Sequence, residues 1–303
     1  MYNIIMEKNN VKNLPLTAKD GGLAFSFMII AYLLLSFFGQ AIISAFCENG
    51  SVVYTAISAC LPAASLLSVT AYFAVSKKYN FLNLCNVKTF KPFALVTALL
   101  LSVGMFFGLG FVNDAFSFML KKAGLNVGGI SLPLENAGHL ILFTIVFALL
   151  PAVCEELFFR GLMLTALKNV KVMYAAIYVA ISFALYHCSM AQFIYQLIYG
   201  AGFTLLAIYA GSVIPCILVH FINNFAIIIL EYFKIGINLY NPILIVLGLV
   251  ALVGFITIIS LSLKKREKKT DLEKNSAAKF YLPFGAFGSI ICVILILMNL
   301  FVV

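Results

Sequence analysis

The stretch ALLPAVCEELFFRGLML, residues 148–164, lies inside a longer apolar run at about 138–167. An apolar run of roughly 18 or more residues is long enough to cross the hydrocarbon core of a bilayer as a helix. Further runs of this kind lie on both sides of it, so that the full series is 22–47, 52–76, 92–119, 138–167, 171–188, 191–210, 213–233, 241–263 and 281–302. The sequence therefore predicts an all-α, polytopic transmembrane bundle of about nine helices.

The composition excludes several classes of protein. Of the 303 residues, 63% are hydrophobic and only 10% are charged, against about a quarter charged in soluble domains. A soluble domain of this size still exposes about a quarter of its unfolded surface, so it could not hide this much apolar area. We therefore exclude a soluble secreted enzyme, a nucleic-acid-binding domain and a disordered protein.

The basic residues predict the orientation of the bundle. The formal net charge is +9, and seven of the 20 Lys and Arg residues lie between Lys264 and Lys279. Most of the others lie in loops on the side of the N-terminus, whereas the opposite side holds Lys121, Lys122 and Lys234. Loops rich in Lys and Arg face the cytoplasm and its anionic lipids. We expect a cytoplasmic N-terminus and contacts with membrane lipids, and no nucleic-acid partner.

These boundaries give the predicted organisation of the chain. A cytoplasmic N-terminal segment occupies 1–21, and a single transmembrane domain occupies 22–303. Within that domain we expect a catalytic core at about 138–232 and a cytoplasmic basic loop at 263–280. Pro151 interrupts the long fourth run, so we expect a kink or a tilt there.

Ionisable residues inside apolar runs mark the candidate site, because such groups are costly in lipid unless they find partners. The fourth run carries Glu155, Glu156 and Arg160. Glu156 and Arg160 are spaced i, i+4, so they share a helix face and can form an ion pair. Glu155 projects about 100° away from Glu156. One carboxylate is therefore expected to hold the arginine, which leaves the other for chemistry.

Two later runs add imidazoles and an amide. The fifth run carries Phe183 and His187, and the seventh carries His220 and Asn224, each pair at i, i+4 spacing. A carboxylate beside an imidazole can activate water, and a second imidazole with an amide can hold an oxyanion. The set formed by Glu155, His187 and His220 would equally suit a zinc ion with an open water position. The residues alone are compatible with both a metal-free and a metal-dependent hydrolase.

These motifs resemble those of the CPBP family of intramembrane proteases, also called the CAAX-protease, bacteriocin-processing or Abi family, which includes Rce1-type endopeptidases. EExxxR matches residues 155–160, FxxxH matches 183–187, and HxxxN matches 220–224. The resemblance covers about 138–232. It implies a CAAX-protease-like helical core and a membrane-embedded endopeptidase in which Glu155 and His187 activate water. His220 and Asn224 would then stabilise the oxyanion, and Glu156 and Arg160 would support the site.

The resemblance also implies the class of substrate. It is a peptide or membrane protein, lipid-anchored in some members of the family, and the short loops suggest a bacterial plasma-membrane enzyme. No cofactor is certain from the sequence, and zinc remains the candidate. Two alternatives stay open: a proton-coupled membrane transporter that uses Glu155 and the histidines as a relay, and a non-catalytic scaffold or immunity protein of the same fold.

One geometric requirement follows from the helix positions. Counted along its helix at 1.5 Å per residue, His187 falls at a different membrane depth from Glu155 and His220. Tilted helices or a late start of the fifth helix must bring these side chains together if they form one site.

Overall fold

The computed structural model describes residues 14–127, 132–267 and 276–301. Nine helices account for most of this part of the chain, and a short helical turn at Phe81–Leu84 precedes the third of them. In chain order the nine are α1 (Ala18–Phe46), α2 (Val52–Ser76), α3 (Phe93–Lys122), α4 (Ala137–Ala166), α5 (Val172–Tyr186), α6 (Met190–Ala210), α7 (Ile214–Tyr232), α8 (Pro242–Glu267) and α9 (Ser276–Phe301). The predicted all-α polytopic bundle is confirmed, and the protein is an integral membrane protein.

One of the predicted membrane spans is shorter than expected. Eight of the helices are long and apolar enough to cross a membrane, whereas α5 has only 15 residues. It ends at Tyr186, with His187 as its C-terminal cap and Cys188 in the left-handed backbone region at φ 46°. The apolar pattern continues through this break, so the sequence extended the helix to 188.

Three helices extend a few residues beyond the predicted apolar runs. The first helix begins at Ala18 rather than at 22, because Thr17 and Asp20 form a capping box at its N-terminus. The predicted N-terminal segment 1–21 therefore includes the first turn of α1, and residues 1–13 lie outside the described residues. The predicted basic loop 263–280 also overlaps helix on both sides, since α8 continues to Glu267 and α9 begins at Ser276. Its centre, 268–275, lies outside the described residues.

The fourth helix is irregular on both sides of Pro151. A π-helical turn at Thr144–Leu149 precedes the proline, and a second one follows at Leu157–Met163. Because proline lacks an N–H group and crowds the preceding turn, a wider turn in front of it relieves the helix. Glu155 and Glu156 lie at the end of the regular α-helical piece between these two turns. Turns of this kind are frequent at functional sites.

The bundle is arranged around α4. The first helix packs against α2 and α9, α5 packs against α6, α7 packs against α4, and α8 packs against α3. The third helix crosses α8 closely, and a Cβ atom on Gly248 would overlap the backbone nitrogen of Gly108. Small residues permit such close backbone approach between membrane helices. Every residue of the second π-helical turn is buried.

Candidate active site

Arg160 and Glu156 form the buried ion pair that their spacing predicted. Arg160 Nη1 donates to Glu156 Oε1 at 2.8 Å, and neither residue has any exposed surface. Arg160 Nη2 also donates to the backbone carbonyl of Gly200 on α6, at 3.1 Å. A buried charge needs both a counter-charge and further hydrogen bonds to offset its desolvation. Arg160 therefore ties α4 to α6 at the centre of the bundle.

Aromatic rings complete the surroundings of the guanidinium. The Cζ atom of Arg160 lies 4.3 Å from the ring centroid of Phe183 and 5.2 Å from that of Phe203. Cation–π contacts of this kind are worth most where water is excluded. Phe183 also meets the ring of His187 edge-on, at 4.7 Å between centroids. The phenylalanine of the second motif thus packs between the arginine and the histidine.

His220, on α7, lies between the side chains of Glu155 and Glu156, which are adjacent on α4. Its Nδ1 lies 2.9 Å from Glu156 Oε1, and its Nε2 lies 3.9 Å from Glu155 Oε2. A carboxylate accepts hydrogen bonds, so the geometry assigns a proton to Nδ1. Glu156 is therefore shared between Arg160 and His220, and the opposite edge of the imidazole faces Glu155. Only 5% of the surface of His220 is exposed.

Glu155, unlike its neighbour, forms no ion pair with Arg160. It is 7% exposed, and its Oε2 has no hydrogen-bond partner among the residues that the structure describes. It also lines a cavity of about 510 Å³ bounded mainly by α2 and α4. A buried carboxylate oxygen without a partner is costly unless it serves a purpose. The sequence expected one glutamate to be free of the arginine, and the structure identifies it as Glu155.

His187 lines the same cavity as Glu155. Its Nδ1 lies 2.8 Å from the carbonyl oxygen of Phe183, which can only accept, so Nδ1 carries the proton and Nε2 keeps its lone pair. The early end of α5 places the imidazole beyond the last helical turn. His187 and Glu155 therefore line one chamber, which a shared site requires.

Asn224 and its neighbour Asn223 line a second cavity, of about 370 Å³, between α3, α6 and α7. His220 lines it as well. Asn224 Nδ2 donates to the carbonyl of Phe147 at 3.4 Å, a long hydrogen bond. Asn223 is 7% exposed, and its Oδ1 lacks a hydrogen-bond partner within the described ranges. The site therefore has two faces, with Glu155 and His187 on the first and the two asparagines on the second.

The side chains present do not form a ready metal centre. Within residues 14–127, 132–267 and 276–301, no three His, Cys, Asp or Glu side chains come together as a metal-binding group. Nδ1 of each histidine is already hydrogen-bonded, so each would have to bind through Nε2. The predicted zinc set of Glu155, His187 and His220 is thus not assembled in this arrangement.

The motif-bearing region matches one known family. Residues 137–226 match the family model described as Rce1-like, type II CAAX prenyl endopeptidase Rce1-like. This part of the chain is similar to the Rce1-like family, and the match covers less than half of the chain. The resemblance inferred from the three motifs is confirmed, and the Rce1-like segment supports a membrane peptidase as the general class of activity. Nothing among curated proteins matches the chain, and nothing among solved structures matches it either.

The Rce1-like segment also contains residues that the sequence did not single out for this site. The carbonyl of Gly200, the ring of Phe203 and the amide of Asn223 all contribute to the surroundings just described. Gly200 lies within an apolar run, and no pattern in the sequence marks a particular carbonyl as an acceptor. Asn223 adjoins the motif residue Asn224, and only the rotation of α7 shows that it is the more buried of the two.

Proposed function

We propose that this protein is an intramembrane endopeptidase that hydrolyses a peptide bond with a water activated by Glu155. One observation carries this proposal. The carboxylate of Glu155 is buried, has an unpartnered oxygen among the described residues, faces His220 and opens into a cavity that His187 also lines. A general base needs this combination of a free oxygen and access for substrate and water.

The reaction follows from the positions of the protons. Glu155 takes one proton from the water, and the water oxygen forms a bond to the carbonyl carbon of the scissile peptide. The carbonyl electron pair moves to its oxygen as the tetrahedral intermediate forms. The C–N bond then breaks, and the proton held by Glu155 passes to the leaving nitrogen. His187 assists on the same face, since its Nε2 lone pair can accept a hydrogen bond from the water.

Oxyanion stabilisation is proposed for His220 and Asn224. His220 can donate from Nε2 only when it carries both ring protons, and then Glu156 accepts the Nδ1 proton. Asn224 uses one amide hydrogen on the carbonyl of Phe147 and keeps the second for the substrate. Arg160 and Glu156 hold His220 in place. Donors already aimed at the developing charge are usually the largest catalytic contribution.

Zinc is kept as an alternative way of activating the water. In a metal-dependent enzyme, Glu155, His187 and His220 would hold the ion, and the ion would supply a more acidic bound water. The metal-free mechanism is supported because no three possible ligand side chains come together among the described residues. Elemental analysis of the purified, active protein distinguishes the two. We expect less than stoichiometric zinc and full activity after dialysis against a chelator, and stoichiometric zinc with chelator-sensitive activity would favour the metal enzyme.

The proposed substrate is a membrane-associated or lipid-anchored peptide or protein. The cavity beside Glu155 combines apolar side chains such as Pro62, Leu66 and Val146 with the hydroxyls of Tyr54 and Ser58. A cavity of this mixed lining suits a peptide with an apolar portion. We also propose a bacterial plasma membrane as its location, on the basis of the short loops.

Comparison of peptide termini tests the proposal and does not require the substrate to be identified first. Wild type, Glu155→Ala and the control Glu135→Ala, at an exposed carboxylate outside the site, are expressed in a strain that lacks the protein. We expect a set of new termini in the membrane and secreted proteome with wild type and with the control only. Identical termini in all three strains, at equal protein levels and under several growth conditions, would favour the transporter or the scaffold.

A further inference from the structure

A third cavity lies at one end of the bundle, away from Glu155. It has a volume of about 380 Å³ and is formed by the segment after α2, the junction of α4 with α5, and the end of α6. In the orientation predicted from the basic loops, this end faces the cytoplasm. Its lining combines the polar side chains of Asn83, Asn86 and Thr165 with aliphatic ones such as Leu164 and Val172.

The charge of this cavity is positive. Lys88 and Lys168 lie at its edge with their side chains exposed, and Arg160 forms part of its wall. Its described lining includes no acidic residue. Arg160 has no exposed surface, and its Nε has no hydrogen-bond partner in the part of the chain that the structure describes. Two exposed lysines at a cavity whose wall contains a buried guanidinium favour an anion, since the lysines can donate to it and the guanidinium adds positive charge behind them.

The walls of the cavity are fixed by specific contacts. The hydroxyl of Ser212 donates to the carbonyl of Lys88 at 2.6 Å and accepts from the backbone N–H of Lys88 at 3.3 Å. Thr165 donates to the carbonyl of Leu84 at 3.0 Å. The segment at 83–88 is thereby attached to α4 and to the turn after α6. These hydrogen bonds hold the walls of the cavity in a defined arrangement.

We propose that this cavity binds the phosphate headgroup of an anionic phospholipid from the adjacent leaflet. The two exposed lysines complement a phosphate, and the aliphatic part of the lining suits the glycerol and the first acyl carbons. Basic pockets between membrane helices on the cytoplasmic side are suited to such headgroups. The two lysines that the test replaces lie outside the peptidase site, because neither forms a described hydrogen bond or ion pair with Glu155, His187 or His220.

The binding of short-chain lipids to the purified full-length protein tests this site. The probes are dioctanoyl phosphatidylglycerol, dioctanoyl phosphatidylcholine and inorganic phosphate, measured by native mass spectrometry and by thermal shift. The test variant is Lys88→Gln with Lys168→Gln. The matched control is Lys78→Gln with Lys91→Gln, which removes the same charge from the same end of the bundle without touching the cavity. Gel filtration and circular dichroism confirm that both variants fold.

We expect phosphatidylglycerol to bind wild type and the control equally, and to bind the test variant about thirtyfold more weakly. Phosphatidylcholine is expected to bind far less well to all three proteins. An equal loss of binding in both variants, or no loss in either, overturns the proposal. Full competition by millimolar inorganic phosphate would show a site for the free anion and would likewise overturn the assignment to a lipid.

Discussion

The imidazole of His220 lies between two glutamates that are adjacent in the sequence, with its Nε2 3.9 Å from Glu155 Oε2. The other ring nitrogen, at 2.9 Å from Glu156, is engaged by a carboxylate that also pairs with Arg160. Because one ring lies against both carboxylates, the position of the proposed base Glu155 depends on the ion pair between Glu156 and Arg160. Substitution of Glu156 or Arg160 should therefore shift His220 and, through it, alter the surroundings of Glu155.

Replacement of Glu155 by glutamine tests its proposed role as the base. The amide keeps the size of the side chain but cannot accept the proton of the water. We expect the rate of peptide cleavage to fall by about 10²- to 10⁴-fold, which is the usual contribution of a general base. The protein should accumulate to the wild-type level and elute as wild type in gel filtration. Cleavage within twofold of wild type would show that Glu155 is not the base.

Truncation of Asn224 tests the oxyanion assignment. Asn224→Ala removes an amide donor that is proposed to meet charge only in the transition state. We expect kcat to fall by about 10²- to 10³-fold with little change in KM, the pattern for loss of one such donor. Asn223→Ala serves as the comparison, and its effect on kcat should be smaller. A larger decrease in kcat with Asn223→Ala would indicate that Asn223, and not Asn224, is the oxyanion donor.

Substitution of Arg160 tests the structural role of the buried pair. Arg160→Met leaves Glu156 buried without its cation and removes the contact to the carbonyl of Gly200. We expect a loss of about 3–5 kcal/mol in the free energy of unfolding, measured by denaturant titration in detergent micelles.

The double variant Arg160→Met with Glu156→Gln is the control for this prediction. It removes the uncompensated carboxylate as well, so it should be less destabilised than the sum of the two single variants. Additive losses would mean that the two side chains contribute independently.

The crossing of α3 with α8 gives a prediction remote from the site. Gly248→Ala would place a methyl group within van der Waals overlap of the backbone at Gly108. We expect destabilisation by about 1–3 kcal/mol, the usual cost of overpacking, seen as a lower Tm. Gly236→Ala is the matched control, because nothing lies within 4 Å of a Cβ atom at that position. Equal Tm values for the two variants would show that the helices can separate without cost.

The sequence by itself determined the class of fold and the ion pair of α4. Apolar runs of bilayer length predict helices because lipid offers the backbone no other partners. The i, i+4 spacing of Glu156 and Arg160 is a local property of one helix, so their pairing followed directly from the sequence. The ordered motifs also identified the family that residues 137–226 match. The roles of Glu155, His187, His220 and Asn224, together with zinc and the substrate, remain proposals.

Only the tertiary structure decided how the separate motifs meet. The sequence could not show that His220 contacts Glu156 more closely than Glu155, because that depends on the rotation of α7 against α4. It could not show that α5 ends at Tyr186, since apolar residues continue across the break. The partners of Arg160 on α6 were likewise hidden, because a backbone carbonyl carries no signal in the sequence. Helix periodicity fixes neighbours within one helix, whereas contacts between helices depend on packing that no local pattern encodes.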